Sequence, residues 1–363
     1  MFDLYSGNTP SRLNKEHFKG TVNWISSGEL KEHYIYSSKE QISEEAAKSL
    51  KLLPVGTFVI AIYGLEAEGV RGTGSITQEP STISQACMSF IPKGVIENEF
   101  LYSWYKKHGN VIGIRYAQGT KQQNLSYDIL EKFRIAYPNT KEQEKLNKFI
   151  SLLDERIATQ SKIIEKMQTL IKGIVDSTIL RKEKNAIVGD VCSISEQIRA
   201  EANIDDIITV RLHGNGVCKS SAENLQLGAT QYYRRRAGQL IYGKQNFHNG
   251  AIGIVPISLD NGITSKDIPS FDIDEMKCNS VYLLAQLQSP QYYKPAEALT
   301  TGTGSKRLKE ETFLKMPIVL PNKREQDNIA TLIISISANL DQAKRMLDLY
   351  SIQKQYLLRQ MFI

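Results

Sequence analysis

The side chains best suited to chemistry in this chain sit in polar loops beside short β-type runs. Arg71, Thr73 and Ser75 follow one such run. Lys121, Gln122 and Gln123 follow "QGT", and Thr303, Ser305, Lys306 and Arg307 occupy the corresponding loop further on. Arg234-Arg235-Arg236 follow "QYY", Lys244, Asn246 and His248 lie in "GKQNFHNG", and Arg211 lies in "ITVRLHGNGV". Arg, Lys, Asn and Gln are the side chains that read base edges bidentately, and Lys and Arg also hold phosphates. For any one loop a solvated turn is the better reading. The pattern Gly-Thr-x-x-x-x-Leu, however, occurs twice at matching places, at 119–125 and 302–308. Proximity to DNA, phosphate positioning and a structural joint between domain and helix all remain open for it.

Motifs for covalent or metal chemistry do not appear. "GVRGTG" lacks dinucleotide-fingerprint spacing, "GNGVCKSS" lacks the P-loop pattern, and neither HExxH nor GxSxG occurs. The five His are scattered and read as surface or core residues, and Asp205-Asp206 reads as a solvated turn. No Asn-Pro-Pro-aromatic tetrapeptide marks an amino-methyltransferase loop. The four cysteines lie more than twenty residues apart, which argues against a zinc knuckle and a disulfide framework. The start of the chain shows no basic stretch leading into an apolar one, and no apolar run is long enough for a membrane span. The expectation is a soluble, cytoplasmic protein without catalytic residues or a metal. A net charge of +6 permits a nucleic-acid partner without demanding one.

The elements that must position the loops come as a repeat. "YPNTKEQEKL" at 137–146 returns as "LPNKREQDNI" at 320–329, 183 residues later. At that offset 119–157 falls on 302–340 without a gap, and the apolar pattern continues to the end of each copy. Upstream, "GTFVIAIYG" (56–64) resembles "GQLIYGKQN" (238–246) more weakly. The chain is therefore read as two diverged copies of one unit.

In the tail of each copy the prolines stop what precedes, Asn139 or Thr140 could cap a helix, and Glu142 and Glu144 place acid in its first turn. Leu146, Ile150, Leu153, Ile157, Ile164, Met167, Ile171 and Ile174 then recur at alternating spacings of four and three, with Gln160 at the one polar step. The second copy places Ile329, Ile333, Ile336, Leu340, Ala343, Leu347, Tyr350 and Leu357 on the same seam, broken by Lys354. This heptad period predicts two coiled-coil helices, the first spanning roughly 60 Å at 1.5 Å per residue, that pack on each other antiparallel. The globular parts read as α+β with a twisted sheet. "SEEAAKSLKLL" predicts a helix, "NEFLYSWYKKHGNVIGIRY" a helix then a strand, and "VGTFVIAIYG" and "AIGIVPIS" strands.

The order of variable domain, "P-N-x-x-E-Q" helix, variable domain, "P-N-x-x-E-Q" helix resembles the specificity subunit of type I restriction–modification systems, as do "LYSGNTPSR", "VNWISSGEL" and "GTKQQNL". The resemblance implies target-recognition domains at 1–139 and 184–321, each reading half of a bipartite double-stranded DNA site. It implies long spacer helices at 140–183 and 322–363 that act as a ruler, and a pseudo-twofold internal repeat. The implied partners are methyltransferase subunits, two of them, and restriction/translocase subunits, with S-adenosylmethionine, ATP and Mg on those partners. One departure stands out: matching "VCSIS" (191–195) to "FDLYS" (2–6) leaves the first copy without a lead-in strand and its turn. A coiled-coil scaffold with protein-binding ends, and an orphan specificity subunit of a modification-only complex, are the alternatives.

Overall fold

The structure, a computed structural model, describes residues 2–67, 69–220, 230–302 and 306–362. It divides into two compact units, Met1–Gln160 with Met346–Ile363, and Ser161–Arg345. Each unit is thus one globular part plus a stretch of both long helices. Among the described residues no helix is long and apolar enough to cross a membrane.

The first unit runs β1 (Phe2–Ser6), β2 (Val22–Ile25), β3 (Tyr34–Ile35), β4 (Gln41–Ile42), α1 (Glu44–Lys48), β5 (Phe58–Ala61), β6 (Gly74–Thr77), β7 (Ser81–Ile83), β8 (Cys87–Pro92), α2 (Asn98–Tyr116), α3 (Tyr127–Leu130) and the start of α4 (Thr140–Val175). The main sheet has the order β1-β8-β5-β6-β3, and β4-β2-β7 form a second. All four residues of β5 are buried, as expected of a central strand covered on both faces. Ser43 caps α1 by accepting from the Ala46 N–H. The expected helix-then-strand at 98–116 is instead a single helix. Leu101, Tyr105, Gly109, Ile112 and Gly113 are its buried stripe at helical spacing. A Cβ on Gly109 would stand 2.8 Å from the Tyr105 ring. Packing here overrides the strand preference of Val111, Ile112 and Ile114.

The second unit continues with β9 (Ala186–Ile187), β10 (Cys192–Ile194), β11 (Arg199–Ala200), β12 (Ile208–Val210), β13 (Val217–Lys219), β14 (Tyr232–Arg234), β15 (Leu240–Tyr242), β16 (Ile252–Ile254), β17 (Ile263–Ser265), β18 (Ser270–Ile273), α5 (Ser280–Leu287), α6 (Pro290–Tyr293), α7 (Glu310–Leu314), β19 (Pro317–Ile318) and α8 (Lys323–Met361). Its sheet order β10-β18-β15-β16 repeats β1-β8-β5-β6. Phe58 faces Phe90 in the first unit as Leu240 faces Phe271 in the second.

The "E-Q" of each tail is a buried lock. Asn139 and Asn322 cap the long helices, accepting from the N–H of Glu142 at 3.1 Å and of Glu325 at 3.0 Å. Gln143 and Gln326 are then almost fully buried. Gln143 accepts from Glu97 N–H at 2.9 Å and donates to Val95 O and Pro138 O, both at 2.9 Å. Gln326 accepts from Asn279 N–H at 2.8 Å and donates to Lys277 O at 3.1 Å and Pro321 O at 2.8 Å. One amide per unit thus ties the start of the long helix to the start of an earlier helix, α2 or α5. Unpaired, each of these buried polar groups would cost about 1–3 kcal/mol.

Every residue named for the helix seam is buried or half-buried, while most positions between are exposed. In the first unit Lys354 pairs with Asp154, and Arg156 lies over the Tyr350 ring at 5.8 Å. In the second Lys182 pairs with Glu325, and Ile171 and Val175 share a cleft with Ile333 and Ser337. Within each unit the two helix segments run antiparallel. Lys354, read as a break in the seam, is half-buried as an ion-pair partner.

Candidate nucleic-acid interface

The two Gly-Thr-x-x-x-x-Leu loops have the same construction. In the first unit Gln118 and Asn124 exchange both backbone hydrogen bonds, at 2.9 Å each. In the second Thr301 and Arg307 do the same, at 3.1 and 2.9 Å. Gly119 and Gly302 take φ values of 120° and 129°, which favour glycine, and a Cβ on Gly119 would meet Gln122 O at 2.0 Å. Leu125 and Leu308 are fully buried anchors. Their N–H groups donate to Ile62 O and Lys244 O, both at 2.9 Å. Each anchor thus fixes its loop to the end of the central strand, β5 or β15.

At the first tip Lys121 and Gln122 are exposed. Gln123 is half-buried, its N–H donating to Glu66 Oε2 at 2.9 Å. At the second, Lys306 Nζ lies 3.4 Å from Glu297 and Arg307 Nη2 lies 3.3 Å from Asp267. Thr303 and Ser305 lie outside the described residues. The second loop borders an open polar cleft of about 680 Å³ lined by Lys244, Lys266, Arg307 and Lys309 with Asp267, Glu310, Gln231 and Tyr233. Cations outnumber carboxylates there. Lys244 is largely covered and paired with Glu310 at 2.7 Å, which leaves Lys266, Lys309 and Arg307 as its exposed cations. Exposed cations of this kind suit phosphate oxygens, and a half-buried Tyr adds a polar ring.

Several named residues are placed elsewhere. Ser75 is fully buried and donates to Glu32 O at 2.6 Å. Thr73 donates to Val70 O at 2.7 Å. Arg71 spends its guanidinium on Leu65 O at 2.7 Å and Glu66 O at 3.3 Å, bracing the turn after β5. Ser75 is corrected as a DNA contact by its burial, while Arg71 and Thr73 are half-buried and engaged within this turn. Arg235 is corrected too, being wholly buried. It donates to Thr264 Oγ1 at 2.7 Å, Ser270 Oγ at 2.9 Å, Gln197 Oε1 at 3.3 Å and Ile268 O at 2.9 Å. Burial lowers its pKa to about 10, still cationic at neutral pH. Arg235 follows directly on β14, its N–H donating to Gly262 O at 2.7 Å, and its side chain is buried while that of Arg234 is exposed.

Arg211 is exposed and donates to Cys218 Sγ at 3.0 Å, bracing the β12–β13 hairpin. Asn246 accepts from Asn249 Nδ2 at 3.2 Å, and His248 is half-buried. Both sit in a turn whose Asn249 O and Gly250 O accept from His213 and Gly214 N–H at 2.7 and 2.9 Å, so of "GKQNFHNG" only Lys244 lines the cleft. Lys266, Lys309 and Tyr233 were not singled out from the sequence. They are gathered by the β14–β17 pairing and the α7 start, and no spacing between them signals it. All four cysteines are free, and burial pushes the thiols of Cys87, Cys192 and Cys278 up to about 12, so they stay protonated and inert.

The structure thus defines two diverged α+β units on shared long helices, each with a polar loop tied to the end of an inner strand of its sheet. Residues 1–169 match the family described as the type I restriction modification DNA specificity domain. The chain is 30% identical over 174 residues to the Type I restriction enzyme MjaIX specificity subunit of Methanocaldococcus jannaschii, covering 46% of this chain and 39% of that protein. It is 30% identical over 155 residues to a type I restriction enzyme specificity subunit of Escherichia coli, covering 41% of this chain and 38% of that one. The matches thus span under two fifths of those relatives' lengths. In fold, the whole chain is similar to the crystal structure of a type I restriction–modification S subunit from M. genitalium. The TM-score is 0.62 at 13% identity, covering 100% of this chain and 94% of that one. A chain solved in work on complex assembly and conformational transition of the type I system gives 0.53 at 13% identity, covering 93% and 90%.

Proposed function

We propose that this chain is the non-catalytic DNA-recognition subunit of a type I restriction–modification complex. The observation that carries the reading is the same bridged loop in both units, above the same glutamine lock. One construction is used twice with different side chains. That suits two half-sites of different sequence in one duplex, read by domains at 1–139 and 184–321. The helices at 140–183 and 322–363 set the gap between half-sites. Phe149, Leu152 and Leu170 on α4, with Leu332, Leu349 and Ile352 on α8, are exposed apolar side chains on otherwise polar flanks, and they suit docked methyltransferase subunits. Those subunits, two per chain, and a restriction/translocase subunit bring S-adenosylmethionine, ATP and Mg, and the complex works in the cytoplasm.

The test is to co-express the chain with its neighbouring methyltransferase and map N6-methyladenine across the genome. A split motif with a fixed gap is expected. Complex assembly without a split motif overturns the reading. Within it, K306A/R307A is expected to weaken binding to every duplex and to lower the log–log salt slope by roughly 2, as two lost phosphate contacts would. A motif change confined to one half-site would instead make these residues base readers.

A further inference from the structure

The bridged loops give the two units one backbone frame, and the charges set on that frame differ. Ile62, just past β5, donates its N–H to Ala86 O and accepts from Leu125 N–H, both at 2.9 Å. Lys244, just past β15, donates to Asp267 O and accepts from Leu308 N–H, again at 2.9 Å each. These bonds match Ile62 to Lys244 and Ala86 to Asp267, and with them the preceding residues, Gln85 to Lys266. The bridge within each loop matches Asn124 to Arg307. Ser126 and Lys309 are the residues that cap α3 and α7, which matches them to each other and Tyr127 to Glu310.

Lys244, Lys266, Asp267, Arg307, Lys309 and Glu310 are the charged residues lining the cleft of about 680 Å³ in the second unit. At every one of these positions the first unit has an uncharged side chain: Ile62, Gln85, Ala86, Asn124, Ser126 and Tyr127. In the second unit Glu310 and Asp267 are paired with Lys244 and Arg307, so the exposed ammonium groups of Lys266 and Lys309 stand as surplus positive charge. In the first unit Gln85 and Ser126 are exposed, Asn124 is half-buried, and Gln85 Oε1 accepts from the Thr9 hydroxyl. The first loop has its own exposed cation, Lys121, but also the Glu66 carboxylate, which accepts from Gln123 N–H at 2.9 Å.

We propose that the two units hold the duplex by different chemistry, an inference that rests on the DNA-recognition reading. The second unit grips the phosphate backbone through Lys266 and Lys309 and supplies most of the salt-dependent affinity. The matching face of the first unit meets the duplex through amides and hydroxyls, with little dependence on salt. The physical ground is counterion release. Each phosphate neutralised by a cation steepens the fall of binding with salt by about 0.9 in the log–log slope, and uncharged hydrogen bonds to base edges release no such counterion. Phosphate contacts are blind to sequence, so the second unit also holds the chain on duplexes that lack the site.

The test follows the complex with its methyltransferase on a labelled duplex carrying the mapped motif, by anisotropy across a potassium chloride series. K266A/K309A, its fold checked by circular dichroism, is expected to lower the log–log salt slope by roughly 2. Q85K/S126K, which writes the second unit's cations into the first, is expected to raise it by about as much. A readout that needs no variant replaces the phosphates of one half-site at a time with neutral methylphosphonates. Binding should weaken on the order of tenfold or more for one half-site and by less than about twofold for the other, and K266A/K309A should lose most of that difference. Equal losses in the two halves, or an unchanged slope in K266A/K309A, overturn this division while leaving DNA recognition standing. No binding of the wild-type complex to any duplex overturns the recognition reading, and the proposal with it.

Discussion

The seat of the helix pair on its domain is built of opposite chemistry in the two units. In the first, the His33 ring lies between Tyr34 and Tyr102, stacked at 4.0 and 3.9 Å. His33 Nε2 lies 2.9 Å from Glu99 Oε2, and Tyr34 donates to the other Glu99 oxygen at 3.0 Å. Asp154 of α4 pairs with Lys354 of α8, and its second oxygen lies 3.9 Å from His33 Nδ1. In the second unit Val281, Leu284 and Ala285 of α5 face Ile171, Val175 and Ile333 across an apolar cleft of about 480 Å³. At the repeat offset, Ser337 takes the place of Asp154 and Ile171 that of Lys354. One backbone plan thus accepts either a charged, oriented joint or a greasy one. An ion pair with few alternative partners specifies a geometry, whereas apolar contact contributes energy with little direction.

The largest effect is expected from Ile333→Ala in the apolar seat. Ile333 is 7% exposed, so truncation removes transfer energy and leaves a cavity, costing about 3 kcal/mol. The loss should be the same at low and high salt. Hydrogen exchange of the β16 amides should speed up while that of β5 stays as it was. A loss that varies with salt would show that the second seat is not held by apolar contact.

The next test exchanges the two chemistries. Lys354→Met alone leaves Asp154 half-buried without its cation, and a cost of about 2 kcal/mol in the first unit is expected, less than the 3–5 kcal/mol of a fully buried pair. The double variant D154S/K354I writes the second unit's residues into the first. It should recover most of that loss and remove the salt dependence of the first unit's unfolding midpoint. If the double variant is no better than Lys354→Met, the ion pair contributes more than a geometry, and the comparison between the seats fails.

The features both units share were the legible ones. A seam with a period of 3.5 needs only its own helix to be seen, and so Leu146 to Leu357 could be named in order. The Gly-Thr-x-x-x-x-Leu loops were visible because they recur. The fate of single polar side chains was not. Gln143 and Gln326 look like surface residues in a first helical turn. Their burial depends on the carbonyls of Val95 and Lys277, nearly fifty residues away. Ser75 and Arg235 carry surface chemistry but lie buried, in β6 and just past β14, where a neighbouring carbonyl or hydroxyl satisfies them. The His33 stack likewise joins β3, α2 and α4 through contacts that no spacing announces.

The smallest effect separates the stacking in the first seat from its charge. Tyr34→Phe keeps the ring against His33 and removes the hydroxyl that donates to Glu99. At pH 8 the cost should be about 1 kcal/mol, that of one partly buried hydrogen bond to a carboxylate. Burial, and after it the charge of Glu99, raises the Tyr34 pKa to about 12, against about 10 in an unfolded chain. A group raised in the folded state contributes stability that is complete below its unfolded pKa and is lost as pH climbs through its folded one. The wild-type advantage over Tyr34→Phe should therefore shrink between pH 10 and 12, with urea midpoints as the measure. Other buried tyrosines in both units also resist ionisation, so only the difference between the two proteins reports on this one. No gap between the two proteins at pH 8 would mean that Tyr34 supports the seat as a ring alone, and that the charge in this joint belongs to Asp154 and Lys354.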